Sequence, residues 1–229
     1  MNSHLSRRGR RAFLGTLAAG TAFFTTRGLF AEELSATPSR TEGPFYPTHL
    51  PLDTDNDLII IKDHITPAVG EITQLSGKVL TASGSPVKDV TVEIWQCDAK
   101  EVYHLTRDSD EKPDQLDKNF QGFGRFTTGS TGEYRFRTIK PVPYPGRPAP
   151  HIHFKVLRGD RELLISQFNI AGYPGNKMDG IAMEGSMYDR ELLSAEFKPI
   201  PGSKTGELFA KFNIVLGRTP DDRTLRSGR

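Results

Sequence analysis

The chain has 229 residues, with 30 Lys and Arg against 28 Asp and Glu, a net charge of +2. That length suits one domain of ordinary size plus a leader, and the single cysteine, Cys97, excludes an intramolecular disulfide. Twenty-two glycines and 16 prolines between many short Val/Ile/Phe runs point to a loop-rich β protein rather than a helical one.

At the N-terminus, Arg7, Arg8, Arg10 and Arg11 precede the uncharged stretch AFLGTLAAGTAFFTT (12–26), the charged and short apolar regions of an export signal. Fifteen residues rich in Gly, Ala and Thr fall short of the roughly 20 apolar residues that a membrane-crossing helix needs. RRAFLG resembles a twin-arginine signal, the Arg10–Arg11 pair being followed by Phe13 and Leu14. We divide the chain into a signal (1–31) and a domain (32–229) destined for the periplasm or the exterior. Ala31 suits the end of the leader, but Leu29 two residues before it is not small, so an uncleaved anchor stays open as the one link to a membrane. Removing 1–31 takes away five basic residues and no acidic one, leaving 25 against 28, net −3. A mildly acidic domain carries no footprint for nucleic acid.

From about 35 to 70 the chain is irregular, and TPSRTEGPFYPTHLPLDTDND has turn residues throughout. It reads as an extended segment wrapping the domain, because Phe45 and Tyr46 would otherwise be exposed. Strand patterns follow: QLSGKVLT, the turn ASGSP, then DVTVEIWQC with Val90, Val92 and Ile94 alternating with Thr91, Glu93 and Trp95. GRFTT, GSTG and EYRFRTI suggest a hairpin. HIHFKVLRG, ELLISQFNIAG and GELFAKFNIVLG complete the set, the last with Leu208, Ala210, Phe212, Ile214 and Leu216 alternating. At least six strands with short turns predict an all-β sandwich with long loops and an extended N-terminal segment. The pattern allows a helix only near YDRELLSAEF (188–197), and RDSDEKPDQLDKN (107–119) reads as a solvated loop.

In HIHFKV, alternation that turns Ile152, Phe154 and Val156 inward turns His151, His153 and Lys155 to the other face. Two imidazoles on one side of a rigid strand can hold a metal, and alone they suit zinc, copper or ferrous iron. Tyr144 lies close in sequence, before the stiffening Pro148 and Pro150. A phenol ionises near pH 10, so a tyrosine ligand shifts the choice toward a strongly Lewis-acidic ion such as ferric iron. A trivalent ion asks for a second anion, and Tyr103 in WQCDAKEVYHL is the leading candidate.

The ordered segments TEGPFYP, VEIWQCDAKEVYH, FQGFGRFTTGSTGEYRFRTIKPVPYPGR and HIHFKV resemble the non-haem ferric intradiol ring-cleavage dioxygenases, closest to protocatechuate 3,4-dioxygenase subunits. The likeness covers roughly residues 40 to 172. It implies a non-haem Fe(III) cofactor held by Tyr103, Tyr144, His151 and His153, with Tyr103 staying bound and Tyr144 displaced by substrate. Gln167, in ISQFNIAG, resembles a pocket glutamine of that family. The family commonly has an arginine three residues before the first histidine; here Arg147 is four before, with PAP between, and the loop from Tyr144 to His151 is short. No helical region precedes TEGPFYP, unlike the catechol 1,2-dioxygenases. The implied reaction opens a catechol-type ring with O2 between its hydroxyl-bearing carbons, giving a cis,cis-muconate-type diacid. Such proteins work as homo- or hetero-oligomers, and either is open here.

Two other readings compete. SGKVLTASGSPVKDVTVEIW followed by TGEYRFRTI also resembles transthyretin-like and carboxypeptidase-regulatory binding modules, which have no use for the four donors together. A cupin-type site would want a glutamate soon after His153 and a distant third histidine, and neither is in place. His49, His64 and His104 read as isolated surface or neighbouring groups, Cys97 as a small buried residue and Trp95 as a core or interface aromatic.

Overall fold

The computed structural model describes residues 33–51, 53–61 and 66–217. The leader reading and His64 lie outside them. Among the described residues no helix is long and apolar enough to cross a membrane.

Two five-stranded sheets face each other. In the first, β1 (Ile72–Thr81) lies between β4 (Glu133–Ile139), antiparallel to it, and two short parallel strands, β9 (Leu208–Lys211) and β10 (Ile214–Leu216); β8 (Phe197–Pro199) flanks β9. The second runs β3 (Phe123–Thr127), β2 (Thr91–Trp95), β5 (His151–Arg158), β6 (Arg161–Ile170), β7 (Ser194–Ala195). Alternation places Leu75, Val79 and Phe136 of one sheet against Val92, Ile94, Ile152, Phe154, Val156 and Phe168 of the other, all buried. This is the all-β sandwich that the sequence predicts.

Three expectations need correction. GRFTT and EYRFRTI are not a hairpin: β3 pairs with β2 and β4 with β1, so GSTG is a corner that carries the chain between sheets. Thr128 holds that corner, its hydroxyl donating to the Val87 carbonyl at 2.9 Å while its carbonyl accepts from the Asp89 amide. The last run is one strand in register but broken at Phe212 and Asn213, where the Asn213 side chain accepts from the Lys78 amide at 3.0 Å and the Phe212 carbonyl accepts from Tyr134 Oη. Gly77 permits the break, since a Cβ there would lie 1.7 Å from the Phe212 oxygen. The loop at 107–119 contains a short helix, α1 (Arg107–Glu111), started by a Thr106 capping box, and its Asp117 is buried. A second helix, α2 (Met187–Leu192), sits where the sequence allows one.

The N-terminal segment does wrap the sandwich. Thr37 pairs with Val215 beside β10; the Arg40 amide then donates to Ile165 and the Ser166 hydroxyl to the Pro38 carbonyl over β6. Farther on, Glu42 pairs with Lys155, and Tyr46 Oη donates to the buried Glu93 at 2.9 Å. The outward faces of β2 and β5 are therefore covered, which explains why Glu93, His151, His153 and Lys155 are buried although they point away from the main core.

Candidate metal centre

Strand register assembles the first part of the site. Trp95, His153 and Gln167 are directly opposed across β2, β5 and β6, and His151 opposes Asn169, so these side chains share the outward face. Residues distant in sequence thus stand within one row.

Tyr103 comes from the turn after β2. The Asp98 carboxylate accepts from the Lys100 and Val102 amides at 2.9 and 3.0 Å, Glu101 takes φ 69°, and the Tyr103 amide donates to Asp108 at 3.0 Å. These bonds fix the backbone that delivers the phenol inward. Phe45 stacks on that ring, centroids 4.4 Å apart and planes within 6°, and meets Tyr144 edge-on at 5.8 Å. Tyr144 stands in a tight turn closed by mutual backbone bonds with Arg147, with Gly146 at φ 86°. Tyr103 is 1% exposed, whereas Tyr144 is only half-buried.

The structure brings Tyr103, Tyr144, His151 and His153 together. Ring centroids lie 5.4 Å apart for the two tyrosines, 5.6 Å for Tyr144 and His151, 4.8 Å for the two histidines and 6.1 Å for Tyr103 and His153. His151 Nδ1 donates to the Ala149 carbonyl at 2.7 Å, which leaves the Nε2 lone pair facing inward, 3.4 Å from Tyr103 Oη. Neither nitrogen of His153 has a partner although the ring is buried; it is oriented instead by stacking on Trp95 at 4.9 Å and 5°. Trp95, read from sequence as a core or interface aromatic, is the backing plate of this imidazole.

Arg147 also reaches the cluster despite its shifted position. Its Nη2 donates to Gln167 Oε1 at 3.1 Å and its Nε to Asp179 at 2.8 Å. Nη2 lies 3.5 Å from His151 Nδ1, a contact only, since that nitrogen already donates to Ala149. Gln167 Nε2 is buried without a partner. Asp179 was not marked by any spacing in the sequence, because its relation to Arg147 is set by loops 32 residues apart.

Burial lowers the His151 pKa to about 4, with the Arg147 charge adding to the effect, and holds His153 well below its ordinary value, reinforced by His151 and Arg147. Both imidazoles are therefore neutral, the form that donates a lone pair to a metal. Burial likewise raises both phenols above 10, and Tyr103 further through nearby Cys97 and Tyr144. Forming a phenolate there requires a neighbouring cation. Two neutral imidazoles, one of them unpaired at both nitrogens, and two phenols fit a Lewis-acidic metal. Among the described residues no three His, Cys, Asp or Glu side chains form another metal cluster. A groove of about 420 Å³ bounded by Gly77, Lys78, Glu133, Tyr134, Arg135 and Phe209 lies on the first sheet, and no histidine lines it. His49 and His104 are not part of the cluster: they border a separate apolar groove, and His104 contacts the buried Asp98. Cys97 is buried beside Tyr103, its thiol pushed up to about 12 by burial and then by Asp98, so it is an inert apolar group.

Residues 41–217 match a family described as Dioxygenase. The chain is 35% identical over 184 residues to the protocatechuate 3,4-dioxygenase beta chain of Burkholderia cepacia, covering 76% of each. It is 26% identical to hydroxyquinol 1,2-dioxygenase of Corynebacterium glutamicum, covering 80% of this chain and 64% of that one. Among solved structures, the dioxygenase domain of a dioxygenase–carbohydrate-binding protein fusion from Streptomyces sp. SirexAA-E superposes with a TM-score of 0.60 at 25% identity, over 81% of this chain and all of that one.

Proposed function

This chain belongs to the intradiol dioxygenase family, and on that premise we propose that it binds ferric iron through Tyr103, Tyr144, His151 and His153 and cleaves a catechol-type ring with O2 between the hydroxyl-bearing carbons. The product is a cis,cis-muconate-type diacid in which both atoms of O2 are retained. The observation that carries this reading is the convergence of two phenols on two neutral imidazoles, one with no hydrogen-bond partner at either nitrogen. A binding module built on the same strands gives those groups no task.

A ferric ion held by these four residues would supply Lewis acidity, favouring the phenolates and an ionised catechol and making the ring reactive toward O2. The chain's residues do the rest. Tyr103, buried under Phe45 and held by a clamped backbone, suits the ligand that stays. Tyr144, half-buried in a short turn, suits the ligand that leaves, and its phenolate oxygen takes up one catechol proton as it does so. Arg147 offers positive charge beside His151, and Gln167 an unused amide donor, to the negative charge that develops on substrate oxygens. Phe45, on both tyrosines, and Trp95, on His153, keep water from the metal face.

We extend the proposal to export through the twin-arginine route, supported by Arg10, Arg11, Phe13 and Leu14; that route carries folded, metal-loaded proteins. The deciding experiment is a visible spectrum of the iron-loaded chain, before and after adding catechol without oxygen. A tyrosinate-to-iron band that shifts with catechol is the expected result. A colourless protein containing stoichiometric iron overturns the two-tyrosinate centre.

A further inference from the structure

Arg147 stands four residues before His151, and something must hold its flexible side chain in the site. The 3-10 turn Pro174–Met178 packs directly on the Arg147 loop: a Cβ on Gly175 would stand 2.1 Å from the Pro148 carbonyl oxygen. The next residue after that turn, Asp179, has a fully buried carboxylate. One of its oxygens accepts from Arg147 Nε at 2.8 Å and from the Ala149 amide at 3.3 Å. The other accepts from the Ile181 and Ala182 amides at 3.1 and 3.0 Å. An anchor tied at both oxygens cannot swing, so it sets the direction of the guanidinium, whose Nη2 then meets Gln167 at 3.1 Å.

We infer that Asp179 is the positioning residue of Arg147, aiming the guanidinium at Gln167 and the His151 side of the metal centre; its effect on turnover rests on the ring-cleavage reading above. Asp179 touches no reacting atom. It acts by denying Arg147 the solvent-directed rotamers that a long charged side chain otherwise populates.

The test uses the full chain and Asp179→Asn, which keeps an acceptor for the Ile181 and Ala182 amides but removes the charge facing Arg147. In metal-free protein, the Arg147 Nε–H resonance, identified by its loss in Arg147→Lys, is expected to be protected from water exchange in the parent and to exchange at least about tenfold faster in the variant. An unchanged resonance overturns the assignment. In iron-loaded protein, Asp179→Asn is expected to lower kcat about tenfold with iron content and KM for catechol nearly constant. In an Arg147→Met background the same substitution is expected to cost less than about twofold. If it costs its full factor there, Asp179 serves only the loop and the inference fails. Should Asp179→Asn not fold, Asp179→Glu, which keeps the charge but displaces it by a methylene, takes its place with the same readouts. Protection of Nε–H in a parent that cleaves no ring leaves the clamp standing and overturns the functional reading instead.

Discussion

The molecule has two buried clusters on the two sides of one sheet, and they are built on opposite rules. Between the sheets, Val92, Ile94, Ile152, Phe154, Val156, Phe168 and Phe212 pack as a hydrocarbon core in which Tyr134 is one polar intruder, and its hydroxyl is bonded to the Phe212 carbonyl. Across β2 and β5, beneath the N-terminal segment, Trp95, Tyr103, Phe123 and Cys97 form a second cluster, and its Trp95 and Tyr103 rings flank His153, whose two nitrogens are unpaired. The first cluster stabilises the fold by burying carbon. The second leaves polar atoms unpaired, which costs stability unless a ligand satisfies them. Adjacent residues of β5 thus belong to different economies: Ile152 and Phe154 to the fold, His151 and His153 to the centre.

Substitutions should separate the two sides. Phe168→Ala, which removes a ring stacked 4.4 Å from Phe212, is expected to lower unfolding free energy by about 3–5 kcal/mol in denaturant titration, with iron per folded molecule unchanged. Loss of iron from folded protein would show that the clusters are not separable. On the other face, His153→Ala is expected to weaken iron binding about a hundredfold. The metal-free chain should shift by less than about 1 kcal/mol, because removing two unpaired buried nitrogens offsets the lost packing. A metal-free protein destabilised as much as Phe168→Ala would make His153 a core residue.

Tyr134→Phe probes the polar exception in the main core and is expected to cost about 1–2 kcal/mol by leaving the Phe212 carbonyl without that donor, with no change in the visible spectrum of the iron-loaded chain. The smallest effect concerns acid. Burial alone would raise the Asp179 pKa, but the Ala182 amide and Arg147 outweigh it and hold the carboxyl below its ordinary range. The unfolded chain therefore takes up this proton first as pH falls. Its contribution is complete above the ordinary carboxylate value of about 4 and is lost as pH drops through the lower folded value. The difference in denaturant midpoint between the parent and Asp179→Asn should close over that interval; a gap that persists below it would rule out a charge-based contribution.

The β-sandwich was legible because alternation is local: Val90 to Trp95 and Leu208 to Leu216 state their inward and outward faces residue by residue. Pairing was less legible. GRFTT and EYRFRTI look like a hairpin because a Gly-rich turn between two strand patterns has the same sequence whether the chain folds back or crosses to the other sheet. The Tyr103, Tyr144, His151 and His153 set stood out as residue types on recognisable segments, but Trp95 did not, since a stacking partner and a core aromatic are the same residue in a strand.

What the sequence determined by itself is therefore which side chains face which way, and which of them are chemically able to hold a hard metal. Only the tertiary structure decided that the outward face of β5 is buried, by drawing Phe45 and Tyr46 across it, and that Trp95, His153 and Gln167 share a row. It alone showed that Arg147 reaches the centre, through an aspartate 32 residues away. The physical reason is that orientation along a strand follows from a two-residue repeat, whereas convergence depends on register and loop docking, which are set by contacts between distant parts of the chain.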